Sequence, residues 1–107
     1  MLVAFSVAPS GTGELPLTGD DGSVSEAVAA ALAVVAVSGL PYRLDSMFTT
    51  LEGDWDSCLA VVKAATEAAG RYGSRVSLVL KADIRPGRTG ELTGKVARVE
   101  ERLAASE

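Results

Sequence analysis

Between Arg75 and Arg85, apolar and polar side chains alternate almost without interruption. Val76, Leu78, Leu80, Ala82 and Ile84 are apolar; Arg75, Ser77, Lys81, Asp83 and Arg85 are polar, with Val79 the exception. A period of two predicts a β-strand with one face on a core. The other face ends in Lys81, Asp83 and Arg85, charges of alternating sign spread over about 14 Å of strand. Leu2 to Ala8 alternates in the same way, with bulky Val3, Phe5 and Val7 opposite small Ala4, Ser6 and Ala8. This predicts a first strand, ended by Pro9. Its small side leaves room for a ligand or a second subunit.

Helical periods lie between and after these strands. Val24, Val28, Leu32 and Val35 recur at spacings of four, four and three, which predicts the inner stripe of a helix. Ser23 and Glu26 have the spacing of a capping box at its start, and Gly39 and Pro41 end it. The preceding stretch, Pro9 to Gly22, is rich in Gly, Pro, Thr and Asp and predicts a loop, either a plain connection or a lid over a site. No Gly-Lys-Ser/Thr follows its glycines, so it is not a phosphate loop. Tyr42 to Leu44 and Met47 to Glu52 read as short strands joined by a turn at Asp45-Ser46. Asp54-Trp55-Asp56 opens a second helix with acids at its positive end. That helix carries Leu59, Val62, Ala65 (or Thr66) and Ala69 inward and runs out at Gly70 to Gly73. After the Pro86-Gly87 turn, a last helix from about Glu91 shows the stripe Leu92, Val96, Val99 and Leu103, with Glu91 and Lys95 as an outer pair.

The order β-α-β-β-α-β plus a terminal helix is that of an α+β, ferredoxin-like sandwich. Its helices cover one face of a four-stranded antiparallel sheet and leave the other bare. The 107 residues form one domain, 1–107. A bare sheet face on so small a protein is commonly covered by a ligand or a second copy.

Composition narrows the chemistry. A net charge of −4 offers no basic footprint, so nucleic acid is not an expected partner. The chain has no histidine, which removes the usual general base and the commonest metal ligand. Cys58 is alone; it forms no internal disulfide, points to a reducing compartment, and reads as a small packing residue. The longest apolar run, Ala27 to Val37, falls well short of the ~20 residues that span a membrane. No secretory leader pattern is present, so the expected location is cytoplasmic. No metal or cofactor is expected.

Four segments carry a family resemblance. Ser6-Val7-Ala8-Pro9-Ser10-Gly11-Thr12 resembles Ser-x-x-Pro-x-Gly-Thr, and Met47-Phe48-Thr49-Thr50-Leu51-Glu52-Gly53 resembles Met-Gly-Thr-x-x-Glu-Gly. Arg75-Val76 followed by Lys81-Ala82-Asp83-Ile84-Arg85 resembles Arg-Val with Lys-x-Asp-x-Arg; Lys95-Val96 with Val99-Glu100 completes the set. In order and spacing they are similar to the small thiamine-binding protein family, over nearly the whole chain. Phe48 departs from the pattern, standing where the family usually has glycine, and the loop from Thr12 to Gly22 is longer than usual.

The resemblance implies a non-catalytic protein that binds thiamine, or its hydroxymethylpyrimidine part, between sheet and subunits. It also implies homo-oligomers, dimers or tetramers, built by associating sheets. Thiamine carries a thiazolium charge and an aminopyrimidine, which call for carboxylates, hydroxyls and an aromatic wall. Ser6, Thr12, Phe48, Thr49, Glu52 and Asp83 are the ligand-binding candidates. The motif favours Thr49 as the partner of Glu52, whereas strand alternation favours Thr50; a bulge would reconcile them. Asp83 also reads as an intersubunit salt bridge, and Glu52-Gly53 as a plain strand end. Two other functions share this topology. An acylphosphatase needs an asparagine, and the chain has none. A regulatory or assembly domain sensing another small ligand is the alternative.

Overall fold

The computed structural model describes residues 1–17 and 24–106. Its elements are β1 (Leu2–Ser10), α1 (Ser25–Val37), β2 (Tyr42–Leu44), β3 (Thr49–Glu52), α2 (Trp55–Gly70), β4 (Arg75–Asp83) and α3 (Glu91–Ala105). The sheet order is β2-β3-β1-β4, with all neighbours antiparallel. That is the expected ferredoxin-like arrangement with an added C-terminal helix. β1 and β4 pair along their whole length, from Leu2↔Asp83 to Ser10↔Arg75. β1 and β3 pair only from Leu2↔Glu52 to Phe5↔Thr49.

The pleat places Val3, Phe5, Val7 and Leu51 against the helices, where they meet Ala27, Ala31 and Val35 of α1 and Cys58, Val62, Ala65 and Ala69 of α2. Alanine at four of these helical positions keeps the facing side chains short, so the two axes approach closely. α2 starts cleanly because the Asp54 carboxylate accepts a hydrogen bond from Ser57 N–H at 2.7 Å. Gly39 follows α1 at φ +82, a left-handed turn that glycine reaches without steric cost.

Several details differ from the pattern reading. β1 continues through Pro9 to Ser10, because beyond Phe5 it pairs with β4 alone and a missing N–H is tolerated on its free side. β3 begins at Thr49 rather than Met47. The buried seam of α1 is Ala27, Ala31 and Val35; the larger Val28 and Leu32 are half-buried on its flank. Likewise Cys58, not Leu59, takes the first inner position of α2, and Leu59 is exposed. Small residues predominate in both seams, with Val35 and Val62 the largest side chains there. Ser23 lies outside the described residues; the position before α1 is Val24, with no side-chain cap.

The largest departure is α3. Val96, Val99 and Leu103 of its apolar stripe are exposed, at 42%, 54% and 61%. The expected Glu91–Lys95 pair is absent: Lys95 Nζ lies 2.6 Å from Asp83, and Glu91 pairs with Arg98, also at 2.6 Å. α3 leans on the sheet near its own start and extends beyond it. The radius of gyration is accordingly 15.9 Å, against about 13 Å for a compact chain of about this size. β4 is an edge strand, so its apolar face is only partly covered, with Leu78 and Leu80 exposed. No helix among the described residues is long and apolar enough to cross a membrane.

Candidate functional site

β1 loses its β3 neighbour after Phe5, because the chain between Leu44 and Thr49 turns away from it. Asp45 N–H donates to the Phe48 carbonyl at 3.0 Å, closing that turn. Asp45 Oδ1 accepts from Ser46 N–H at 2.9 Å. The opening between the turn and β1 is covered from the helix side by Val24, Val28 and Leu32, the stripe that the α1 core contact left over. What remains is a cleft of about 270 Å³, floored by Phe5 to Ala8 and closed by Leu44 to Thr49.

The lining divides by chemistry. Val28, Leu32, Met47 and the Phe48 ring supply an apolar and aromatic wall. The Thr49 hydroxyl is buried with the core-facing side of β3, while the Asp45 carboxylate and Ser46 are exposed. Ser6 and Ala8 follow the parity of the opposite sheet face, so β1 meets the cleft there with its main chain. The volume lies just under the roughly 300–1,000 Å³ typical of small-molecule sites, which suits a ligand of one ring better than a dinucleotide. No cluster of three or more potential metal ligands occurs among the described residues.

Two of the six sequence candidates, Phe48 and Thr49, meet in this cleft, and Ser6 borders it through its main chain alone. Thr12 lies elsewhere, in a shallow depression with Leu15, Pro16 and Tyr72. The described part of its loop is pinned to the end of α2, through Leu15 N–H to the Arg71 carbonyl at 2.8 Å and Glu14 to Arg71 at 3.4 Å. Residues 18–22, on which the lid expectation also rests, are outside the described set. Glu52 faces the open side of the sheet and caps α3: its Oε2 accepts from Glu91 N–H at 2.9 Å and its Oε1 from Leu92 N–H at 3.3 Å. Asp83 shares that open side, in a hollow of about 170 Å³ with Ala4, Thr50, Lys81 and Lys95. The Lys95 ammonium holds the Asp83 carboxyl below the usual carboxylate range.

β3 keeps regular register from Thr49 to Glu52, so no bulge intervenes. Thr50 shares the face of Glu52, and Thr49 turns inward with Leu51. Asp45 is the cleft residue that the pattern reading missed. In the sequence Asp45 reads as a turn marker, although a carboxylate at the first position of a turn beside Met47-Phe48-Thr49 is a usable signal.

The profile of one family, described as thiamine-binding protein, matches residues 3–100. The UPF0045 protein of Mycobacterium bovis is 48% identical over 108 residues, covering 100% of this chain and 98% of that one. A solved domain of unknown function from Bacillus cereus superposes with a TM-score of 0.68 at 32% identity, covering 85% and 83% of the two chains. A Thermotoga maritima protein, provisionally named for thiamine biosynthesis/salvage, superposes with a TM-score of 0.70 over 92% and 96%. At 24% identity the latter speaks for the fold alone.

Proposed function

Because the chain belongs to the thiamine-binding protein family, we propose that it binds thiamine, or its hydroxymethylpyrimidine part, without catalysis, in the cleft beneath α1. The observation that carries this reading is the pairing of an aromatic ring, Phe48, with a carboxylate, Asp45, in a cavity of one-ring size. The pyrimidine stacks on Phe48. Its amine donates to Asp45, and its ring nitrogens accept from Thr49 or from β1 N–H groups. A cationic thiazolium at the mouth gains from the same carboxylate, by about 1 kcal/mol in bulk water and about 4 at an effective dielectric of 20, for charges about 4 Å apart.

Thr12, Glu52 and Asp83 stand outside this cleft and reach a ligand only at a junction between subunits. A homo-oligomer, dimer or tetramer, is part of the proposal. Three surfaces support it: the bare sheet face, the exposed α3 stripe, and an apolar groove of about 420 Å³ along the β4 edge beside Leu59, Val62, Leu78 and Leu80. The absence of histidine favours binding over proton-transfer chemistry. The lone, buried Cys58 thiol suits a reducing cytoplasm.

Calorimetric titration with thiamine, a thiamine phosphate ester and the free pyrimidine tests the reading. At a hundredfold excess over Kd the ligand adds about 2.7 kcal/mol of stability, a melting shift of roughly 10 °C or more. Phe48→Ala should weaken binding and leave the fold intact. No heat and no melting shift with any of the three at millimolar concentration refutes it.

A further inference from the structure

Arg85-Pro86-Gly87-Arg88 forms a tight turn at the opposite end of the sheet from the cleft. Arg88 N–H donates to the Arg85 carbonyl at 3.1 Å, and Gly87 has φ +77. Proline followed by a left-handed glycine is the signature of a type II turn, whose first and last Cα atoms lie within about 7 Å. Two guanidinium groups are therefore held on one rigid support. Both border a depression of about 250 Å³ whose other walls include Met1, Trp55, Ile84 and Pro86.

Trp55 is the only tryptophan of the chain, and it stands 53% exposed at the start of α2 instead of joining the core. Arg85 forms no ion pair among the described residues, and the nearest carboxylate to Arg88 is Glu91, at 3.9 Å. Glu91 is itself committed to Arg98 at 2.6 Å. Asp54, the one acid lining the depression, is directed to the helix by its bond to Ser57 N–H. The depression thus combines two weakly engaged cations with an open indole face. Like charges on one turn repel, and an anion forked between them relieves that repulsion. The planar guanidinium fork of arginine meets two oxygens of a phosphate or carboxylate at once, in a way lysine does not.

We propose that this depression binds a small aromatic anion: a heteroaromatic ring against Trp55, with its phosphate or carboxylate held between Arg85 and Arg88. The site shares no residue with the cleft beneath α1 and stands whether or not thiamine binds there.

Trp55 makes the test direct, since intrinsic tryptophan fluorescence reports this site alone. The intact protein is titrated with adenosine monophosphate and adenosine, and with nicotinate and nicotinamide. Saturable quenching by at least one anionic member, at least tenfold tighter than by its neutral partner, is the expected result. The arm that responds identifies phosphate or carboxylate as the recognised group. Replacing both arginines, Arg85→Gln with Arg88→Gln, should abolish the quenching and leave the melting curve unchanged. The proposal is overturned if neither anion quenches saturably at millimolar concentration, if the neutral partners bind equally well, or if the double variant binds like the parent.

Discussion

Glu52 is the residue whose replacement separates two accounts of the same carboxylate. Its motif suggests a ligand contact, whereas its geometry makes it the cap of α3, accepting from Glu91 and Leu92 N–H at 2.9 and 3.3 Å. Loss of a side-chain helix cap typically costs about 0.5–2 kcal/mol, and a carboxylate at the positive end of the helix dipole adds about 0.3–1. Glu52 is half-buried, so Glu52→Ala should cost about 1–2 kcal/mol, a factor of about 5–30 in the equilibrium between docked and released α3. That cost falls on α3 and not on the domain, because the rest of the helix hardly touches the core. Hydrogen exchange over residues 91–105 should accelerate by that factor, while peptides from α1, α2 and β1 keep their protection. Glu52→Gln, which retains one acceptor oxygen, should fall between the two. Unchanged exchange in α3 after Glu52→Ala would show that the cap contributes nothing. Loss of protection throughout the domain would show that α3 is not peripheral.

Three further outcomes follow from the same geometry. Asp83 and Glu91 are held below the usual carboxylate range, first by hydrogen bonds from Lys95 and Arg98 and then by their charges; with folded values depressed, their support is complete above about pH 5 and is lost as acid protonates them. α3 protection should therefore decline progressively below about pH 5, less steeply in Asp83→Asn, and protection constant to about pH 2 would contradict it. Burial pushes the Cys58 thiol up and seals it from solvent, so a thiol reagent should react only on denaturation; prompt labelling of the native protein would place Cys58 nearer the surface. Leu80→Lys in the groove along β4 should lower the assembled mass seen by light scattering, and a parent protein that already scatters at about 11.0 kDa removes the oligomer from the proposal.

The order of elements along the chain, both core helices and the start of α3 at Glu91 were legible because period and punctuation agree: alternation in β1 and β4, Asp54 before α2, Gly39 after α1. Side-chain size misled where helices approach closely. Pattern reading assigns inner positions to the largest apolar residue, so Leu59 and Val28 displaced Cys58 and Ala27. The cleft was half legible. Phe48 and Thr49 come from one contiguous segment, whereas the neighbouring Val28 and Leu32 reach it only because alanines take the α1 seam. The partners of Glu52 were not legible at all. They lie 39 and 40 positions away, and a backbone N–H carries no mark in a sequence.

β1 contributes main chain, not side chain, to part of the cleft floor, since Ser6 and Ala8 follow the parity of the opposite face while the β3 partner stops at Phe5↔Thr49. Peptide groups are identical whatever residue bears them, so substitutions at Ser6 or Ala8 leave the donors and acceptors of that floor in place. Variation in what the cleft accepts is then concentrated in the Asp45–Phe48 turn, whose side chains change without disturbing the sheet or the helical seam. On the proposed reading of the cleft, a lineage can exchange one small ring for another by editing that turn alone. Phe48, the aromatic side chain of that turn, occupies the place where such an edit would be made.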